Sequence, residues 1–261
     1  MDLNLFTKNA LVCGGSKGIG KAIAAELALL GANIILVARN EELLQKTIAE
    51  LDTSLGQTHQ YLVADVSQLE DWKEKVETLA ATQTIHILVN NTGGPPSGTI
   101  VGADISAFAT AFQNHLLANH VASVAVIEGM KKAQFGRIIN VISTSVKQPL
   151  EGLGVSNTIR AAVANWSKTL ATELAPFGIT VNNLLPGATQ TERLESIIST
   201  KSSKQQVAVK DVEDEMLAEI PMRRFGQPHE IAAAAAFLAS PAAAYITGIN
   251  LTVDGGRTKS L

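Results

Sequence analysis

The sequence predicts an α/β protein in which a single Rossmann-like, doubly wound parallel β-sheet is flanked by helices. Short apolar runs alternate with segments of helical period along the whole chain of 261 residues, and this alternation is typical of parallel strands joined by helices. A glycine-rich turn also joins the first apolar run to its helix. No segment has the composition of a linker or of a low-complexity region, and none is repeated. We therefore predict one domain over residues 1–261.

The first βαβ unit spans residues 10–39. The apolar run 10–13 predicts a strand, apolar residues at helical spacing follow it, and Gly31 ends the helix before a second strand at 34–37. The same two patterns continue to residue 253. The other predicted helices are 41–55, 69–81, 104–132, 155–174 and 231–239, and the other predicted strands are 61–64, 85–89, 137–142, 179–185 and 249–253.

Four glycines, Gly14, Gly15, Gly18 and Gly20, lie where the first strand meets its helix. Because glycine lacks a β-carbon, the backbone of such a turn can approach a ligand closely. The start of the helix adds free N–H groups and the positive end of the helix dipole. A turn of this kind inside a βαβ unit is typical of a binding site for the diphosphate of a nucleotide.

The composition excludes several classes of protein. The net charge is −3 without a basic block, so we expect no nucleic-acid partner. No apolar stretch has the length of a membrane span and the first residues lack an apolar signal segment, which predicts a cytoplasmic protein with no membrane partner. The single cysteine, Cys13, ends a predicted core strand, where it is expected to be a small buried hydrophobe. We predict no metal site.

Residues 191–222 depart from the alternation of strands and helices. The segment is polar and charged, contains no predicted strand, and follows the Pro-Gly end of a strand. Long segments without a strand are commonly functional, and ligands bind beyond the carboxyl ends of parallel strands. We therefore interpret residues 191–222 as a helical substrate lid, with a surface insertion as the alternative.

Several short motifs resemble those of the short-chain dehydrogenase/reductase family, and in particular of its 3-oxoacyl-acyl-carrier-protein reductases. They are Gly14-x-x-x-Gly18-x-Gly20, Asp65-Val66, the Asn-Asn-Thr-Gly sequence at 90–93, the Asn-Leu-Leu-Pro-Gly sequence at 183–187 with Thr191, and the segments 224–231 and 254–256. The resemblance implies that these motifs hold a nicotinamide cofactor. The predicted cofactor-binding residues are Gly14, Ser16, Lys17, Gly18, Ile19, Gly20, Arg39, Asp65, Val66, Asn91, Thr92, Gly93, Pro186, Gly187 and Thr191.

The resemblance also implies a catalytic set of Asn, Ser, Tyr and Lys. Asn114 and Ser143 match the first two positions, but Ser156 and Arg160 stand where the family has Tyr-x-x-x-Lys. Residues four apart share one face of a helix. Arg160 can still bind ribose hydroxyls and keep a positive charge near a carbonyl. Ser156, however, carries an alkyl hydroxyl, which is a far weaker acid than a phenol of pKa about 10.

The loss of the phenol leaves three possibilities open. Another group protonates the product, or the reaction differs, or the protein reduces ketones poorly. The candidate donors are His115, His120, Lys147 and a water molecule held by Ser143, Ser156 and Arg160. The only two tyrosines, Tyr61 and Tyr245, lie at no strand end that belongs to the predicted site.

The pattern of charges favours NADP over NAD. Sites for NAD place a carboxylate at the end of the second strand, where it binds the ribose 2′-hydroxyl. Here that strand ends at Arg39 without an acid, and Lys17 lies inside the glycine turn. Two cations at this position suit a 2′-phosphate, and two ordinary surface cations are the alternative.

We therefore predict an NADP-dependent oxidoreductase that transfers a hydride between the nicotinamide and a small carbonyl or alcohol substrate, with an altered catalytic pair. One alternative is an NADP(H)-binding sensor or structural protein with little turnover, and another is a C=C reductase. The resemblance also implies a homo-oligomer, a tetramer, paired through the helices of Asn114 and Ser156. Apolar residues such as Ala161 and Trp166 extend around more of the second helix than one sheet covers.

Overall fold

The computed structural model describes residues 1–260, and its centre is one sheet of seven parallel strands. The strands are β1 (Asn9–Cys13), β2 (Asn33–Ala38), β3 (Gln60–Val63), β4 (Ile87–Asn91), β5 (Gly136–Val141), β6 (Ile179–Pro186) and β7 (Asn250–Val253). They lie in the order β3-β2-β1-β4-β5-β6-β7, which reverses direction between β1 and β4. This is the doubly wound arrangement, so the predicted fold class is confirmed.

Nine α-helices connect and cover the strands among residues 1–260. They are α1 (Gly18–Leu29), α2 (Glu41–Ala49), α3 (Leu69–Thr82), α4 (Ile105–Phe112), α5 (Ala118–Ala133), α6 (Gly154–Leu174), α7 (Glu192–Gln205), α8 (Val209–Ala218) and α9 (Pro228–Ala239). Helices α1 and α9 pack on each other, as do α3 and α5. No helix in this part of the chain is long and apolar enough to cross a membrane.

The alternation of side chains along β1 divides the core into two layers. Ala10 and Val12 pack with α1 and α9, whereas Leu11 and Cys13 pack with residues of α3 and α5. Successive residues of a strand point to opposite faces, so both faces of this sheet are buried. Burial also raises the pKa of the Cys13 thiol to about 12, which agrees with its predicted place in the core.

Two predicted helices differ from the observed ones. The helix predicted over residues 41–55 ends at Ala49, and Asp52 just beyond it accepts hydrogen bonds from the amide and hydroxyl of Ser54. Such local bonds compete with helical ones. The helix predicted over residues 104–132 is interrupted between α4 and α5 by a π-helical turn, Gln113–Leu117. Turns of this type are rare and frequent at functional sites.

Four asparagines form a row of side-chain hydrogen bonds across β4, β5, β6 and β7. The Asn90 amide donates to Asn140 (2.9 Å), that of Asn140 donates to Asn183 (3.1 Å), and that of Asn183 donates to Asn250 (2.8 Å). These residues are paired across β4, β5, β6 and β7. Because unpaired amides inside a protein are costly, the row disfavours any other register. It therefore aligns the carboxyl ends of these four strands.

The segment predicted as a lid contains two helices, α7 and α8, which pack on each other. Leu194 and Ile198 of α7 and Val212 of α8 are buried between them. The Thr191 hydroxyl caps α7 by accepting a hydrogen bond from the amide of Leu194 at 3.4 Å. The pair is thus an ordered helical unit that follows β6, at the edge of the sheet where the strand carboxyl ends lie.

Candidate active site

The glycine turn after β1 lies against the end of β4. Gly14 has a φ of +61°, and a β-carbon there would be 2.5 Å from the carbonyl oxygen of Asn91. A β-carbon on Gly20 would be 2.2 Å from the carbonyl oxygen of Gly14. The Asn91 amide donates to the carbonyl oxygens of Cys13 and Gly14 at 3.3 and 3.2 Å. These two glycines therefore allow a close packing that no other residue permits.

A cleft of about 650 Å³ opens between this turn and the ends of β2, β3 and β4. It lies where the strand order reverses, the usual place for a ligand in such a sheet. Its size falls within the range of cofactor sites. Ten of the predicted site residues line it: Gly14, Ser16, Lys17, Arg39, Asp65, Val66, Asn91, Thr92, Gly93 and Asn114.

The other predicted residues do not line the cleft. Gly18 lies against Thr191, because a β-carbon on Gly18 would be 3.3 Å from the Thr191 methyl carbon. Gly187 packs similarly against Asp254. The predicted residues outside the cleft lining are Gly18, Ile19, Gly20, Ser143, Ser156, Arg160, Pro186, Gly187 and Thr191.

The two cations predicted to select NADP both line the cleft, and each has a carboxylate neighbour. Arg39, 79% exposed, lies 3.8 Å from Asp65, and Lys17 lies 2.8 Å from Glu192 of α7. Burial raises the pKa of Asp65, but hydrogen bonds from Ser67 and the charge of Arg39 outweigh it and lower that pKa overall. The carboxylate beside Arg39 therefore follows β3 and does not lie at the end of β2.

Arg160 is buried at the start of α6, with only 7% of its surface exposed. Its Nη1 donates to the carbonyl oxygen of Val141 (2.9 Å) and its Nη2 to that of Thr92 (3.4 Å), so it bridges the ends of β5 and β4. Among residues 1–260, its Nε finds no acceptor. Burial, and next the charge of Arg193, lower the Arg160 pKa to about 10. The guanidinium therefore stays protonated at neutral pH.

His115 lies in the π-helical turn and is buried beside Thr92. Its Nδ1 is 2.6 Å from the Thr92 hydroxyl. Burial, and next the charge of Arg160, lower the His115 pKa to about 3. The imidazole is therefore neutral near pH 7 and a poor proton donor. His120 is exposed and packs edge-on against Trp166, with 6.2 Å between ring centroids.

The predicted catalytic residues come from three elements that pack together. Asn114 lies in the π-helical turn, Ser143 follows β5, and Ser156 lies one helical turn before Arg160 in α6. The Ser143 hydroxyl accepts a hydrogen bond from the amide of Ser145 at 3.1 Å. Neither tyrosine lines the cleft: the Tyr61 hydroxyl donates to Glu41, and Tyr245 is fully exposed.

Comparison with known proteins agrees with this geometry. The model of a family described as enoyl-(acyl carrier protein) reductase matches residues 14–258. The NADPH-dependent reductase BacG of Bacillus subtilis is 32% identical over 97% of this chain and 99% of its own. The 3-oxoacyl-[acyl-carrier-protein] reductase FabG of Vibrio cholerae is 36% identical over 97% of this chain and 98% of its own. The chain belongs to the short-chain dehydrogenase/reductase family.

Solved structures place this short-chain dehydrogenase/reductase among enzymes of the same shape. L-sorbose reductase of Gluconobacter frateurii, complexed with NADPH and L-sorbose, superposes with a TM-score of 0.92 at 32% identity, and both chains are covered completely. The family is one of oxidoreductases, so the prediction of an enzyme of this class is confirmed. The relatives named for NADPH agree with the predicted cofactor, NADP.

The structure adds two residues that the sequence did not single out in this short-chain dehydrogenase/reductase. Arg193, in the first turn of α7, donates from Nη2 to the carbonyl oxygen of Pro95 at 2.8 Å. Gly94, which lines the cleft, lies between Arg193 and Arg160. In the sequence, Arg193 is recognisable only as a charged residue two positions after Thr191. Sequence alone does not show which way a side chain of a surface helix points.

Proposed function

We propose that this protein is an NADPH-dependent reductase that acts on a carbonyl carbon of a small molecule without a tyrosine as proton donor. The observation that carries the proposal is the position of Arg160. A buried, protonated guanidinium contacts the ends of β4 and β5 beside a glycine-lined cleft, at the position where the family resemblance implies a lysine. Its charge can stabilise negative charge that develops on a carbonyl oxygen in the transition state.

The residues of the cleft fit NADPH. Gly14 and Gly18, both with positive φ, leave room for the diphosphate beside the start of α1, which attracts anions. Asp65 and Val66 would lie against the adenosine, and Arg39 would face the 2′-phosphate. The remaining predicted residues would hold the nicotinamide half: Asn91, Thr92, Gly93, Pro186, Gly187 and Thr191. When bound, NADPH supplies the hydride.

The side chains of this chain would then orient the substrate and direct the proton. In our proposal, Ser143 and Ser156 donate hydrogen bonds to the carbonyl oxygen, Asn114 orders a water molecule, and Arg160 keeps a positive charge beside the reacting end of the substrate. Reduction of a ketone adds one hydride to carbon and one proton to oxygen. The neutral His115 and the strongly basic Arg160 are unsuited to supply that proton, so we assign it to water.

A second candidate is reduction of a C=C bond, in which the proton goes to carbon. The absence of a tyrosine from the cleft lining favours it, because that reaction does not require an acid beside a carbonyl oxygen. The description of the matching family as enoyl-(acyl carrier protein) reductase agrees with it. A protein that binds NADP(H) without turnover is the remaining alternative.

We further propose that α7 and α8 act as a substrate lid and that the protein is a cytoplasmic homotetramer. The link between Lys17 and Glu192 supports the lid, because it connects the glycine turn to α7. Exposed Phe112 and Val124 and half-buried Trp166, on α4, α5 and α6, support contacts between subunits along these helices.

The decisive experiment follows the absorbance of NADPH with a panel of ketones, enones and the matching alcohols. We expect turnover of at least one ketone, a flat rate between pH 6 and 9, and a loss on the order of a hundredfold for Arg160→Met. Turnover of enones alone would establish the second candidate. Tight NADPH binding without turnover of any compound would establish the non-enzymatic alternative.

A further inference from the structure

Two guanidinium groups converge on the same glycine. A β-carbon placed on Gly94 would lie 3.7 Å from Nη2 of Arg193 and 3.8 Å from Nη2 of Arg160, and no other atom outside its immediate chain neighbours would lie within 4 Å. Arg160 comes from α6, at the sheet, and Arg193 comes from α7, in the segment proposed as a lid. The two arginines therefore face one small space, which we call the Gly94 gap.

The two positive charges at this gap have no acidic partner. Within residues 1–260, no carboxylate lies within 4.0 Å of either guanidinium. Only 7% of the surface of Arg160 is exposed, and among residues 1–260 its Nε has no hydrogen-bond acceptor. A buried charge is normally paired, and two like charges at close range repel. Arg193 is exposed, so the buried charge of Arg160 is the one that an anion at the gap would offset.

We propose that the Gly94 gap binds a carboxylate of the substrate, so that the enzyme acts on oxo acids. This inference rests on the proposed function for the reaction itself. A guanidinium presents parallel N–H groups that match a carboxylate in a bidentate way. Arg160 on α6 and Arg193 on α7 would hold the anion from two sides, because Nη2 of each already lies at the gap.

The diphosphate of the cofactor is the other possible anion, and the contacts of α7 argue against it. Glu192 reaches the glycine turn through Lys17, whereas the next residue, Arg193, reaches Pro95 beyond β4. Consecutive residues of a helix point in directions about 100° apart. Arg193 is thus directed away from the glycine turn, where the diphosphate would lie, and towards the loop after β4.

Gly94 provides a substitution that fills the gap without straining the chain. Its φ is outside the left-handed region, and a β-carbon would make only ordinary van der Waals contacts with the two guanidinium groups. Gly94→Ala should therefore fold normally. Its methyl group would occupy the space in which we place the carboxylate.

The test measures binding by calorimetry to the complex of the protein with NADP⁺, which cannot reduce a ketone. The probes are 2-oxobutanoate, 4-oxopentanoate and 5-oxohexanoate, each compared with its uncharged amide. We expect at least one acid to bind roughly tenfold to a hundredfold more tightly than its amide, as for a hydrogen bond to a charged group. Arg193→Gln and Gly94→Ala should remove most of this preference, and Arg193→Lys should keep part of it.

Lys204→Gln is the matched control, because Lys204 is an exposed cation in the last turn of the same helix. It should leave the preference unchanged. The inference is wrong if every acid binds no better than its amide, or if Arg193→Gln weakens NADP⁺ while the preference for the acid persists. If an acid is preferred but nothing is turned over with NADPH, the anion site stands and the proposed reaction fails.

Discussion

Nζ of Lys17 lies 2.8 Å from a carboxylate oxygen of Glu192. Lys17 belongs to the turn that opens α1, and Glu192 is the first residue of α7. Both side chains are more than half exposed, 53% and 74%, so the pair itself contributes little to stability. Its importance is positional, because it connects the cofactor cleft to the segment proposed as a lid.

Glu192→Gln should strengthen NADPH binding by up to about fivefold, because an exposed ion pair is worth at most about 1 kcal/mol. The substitution frees Lys17 and removes a negative charge close to the cofactor phosphates. Fluorescence titration with NADPH and with NADH measures the effect. Glu195→Gln, in the same acidic first turn of α7, is the control, and weaker NADPH binding by Glu192→Gln would contradict the prediction.

Arg39→Gln should weaken NADPH by about tenfold and leave NADH nearly unchanged. A hydrogen bond to a charged group is worth about 1.5–3 kcal/mol, and the high exposure of Arg39 places this one at the lower end. Asp65, now without its cation, adds repulsion towards the 2′-phosphate. Fluorescence titration with NADPH and with NADH measures both affinities. Equal binding of the two cofactors by the unsubstituted protein would refute the preference for NADP.

The double substitution Ser156→Tyr with Arg160→Lys should raise the rate of ketone reduction. It restores a phenol whose pKa a neighbouring ammonium can lower, and general-acid catalysis contributes about a hundredfold or more. Single-turnover rates with a neutral ketone measure the effect. The control is the double substitution Ser156→Phe with Arg160→Lys, which has similar bulk but no phenol hydroxyl. A fall in a strong native activity would show instead that Ser156 and Arg160 form a specialised pair.

The buried His115 should make the protein sensitive to acid. Burial lowers its pKa from 6.5 to about 3 in the folded chain, so between these values the unfolded chain binds more protons. The free energy of unfolding therefore falls as the pH falls below 6.5.

His115→Gln should remove this pH dependence of the free energy of unfolding. Between pH 7 and pH 5 the variant should lose about 2 kcal/mol less stability than the original protein, since one pKa unit is worth about 1.4 kcal/mol. Urea unfolding at both pH values measures the difference. His120→Gln, an exposed neighbour, is the control, and parallel losses for the protein and His115→Gln would contradict the assignment.

The protein should be a tetramer at micromolar concentration, as measured by light scattering. Phe112 and Val124 are 41% and 52% exposed on α4 and α5, and burial of apolar side chains favours association. Val124→Glu should dissociate the particle, because association would then bury an unpaired charge. Val209→Glu, at an equally exposed apolar position on α8, is the control; a monomer for the unsubstituted protein would refute the proposal.

The elements were predictable where their signal is local. The glycines of the first turn, the apolar run of β1 and the period of α6 each appear within a short window of sequence. The errors also have local causes. Side-chain bonds at Asp52 compete with the last turn of α2, and the π-helical turn Gln113–Leu117 divides what the sequence predicts as one helix.

The fold class, the glycine turn and the shared helix face of Ser156 and Arg160 could be predicted from residue spacing, because backbone sterics and hydrophobic period act between near neighbours. Which charges meet became visible in the folded chain alone. Lys17 pairs with Glu192, and Arg160 faces Arg193 across Gly94, through elements far apart in the chain. Such contacts depend on how the helices pack on the sheet and on the direction of each side chain. The spacing of residues predicts neither of these.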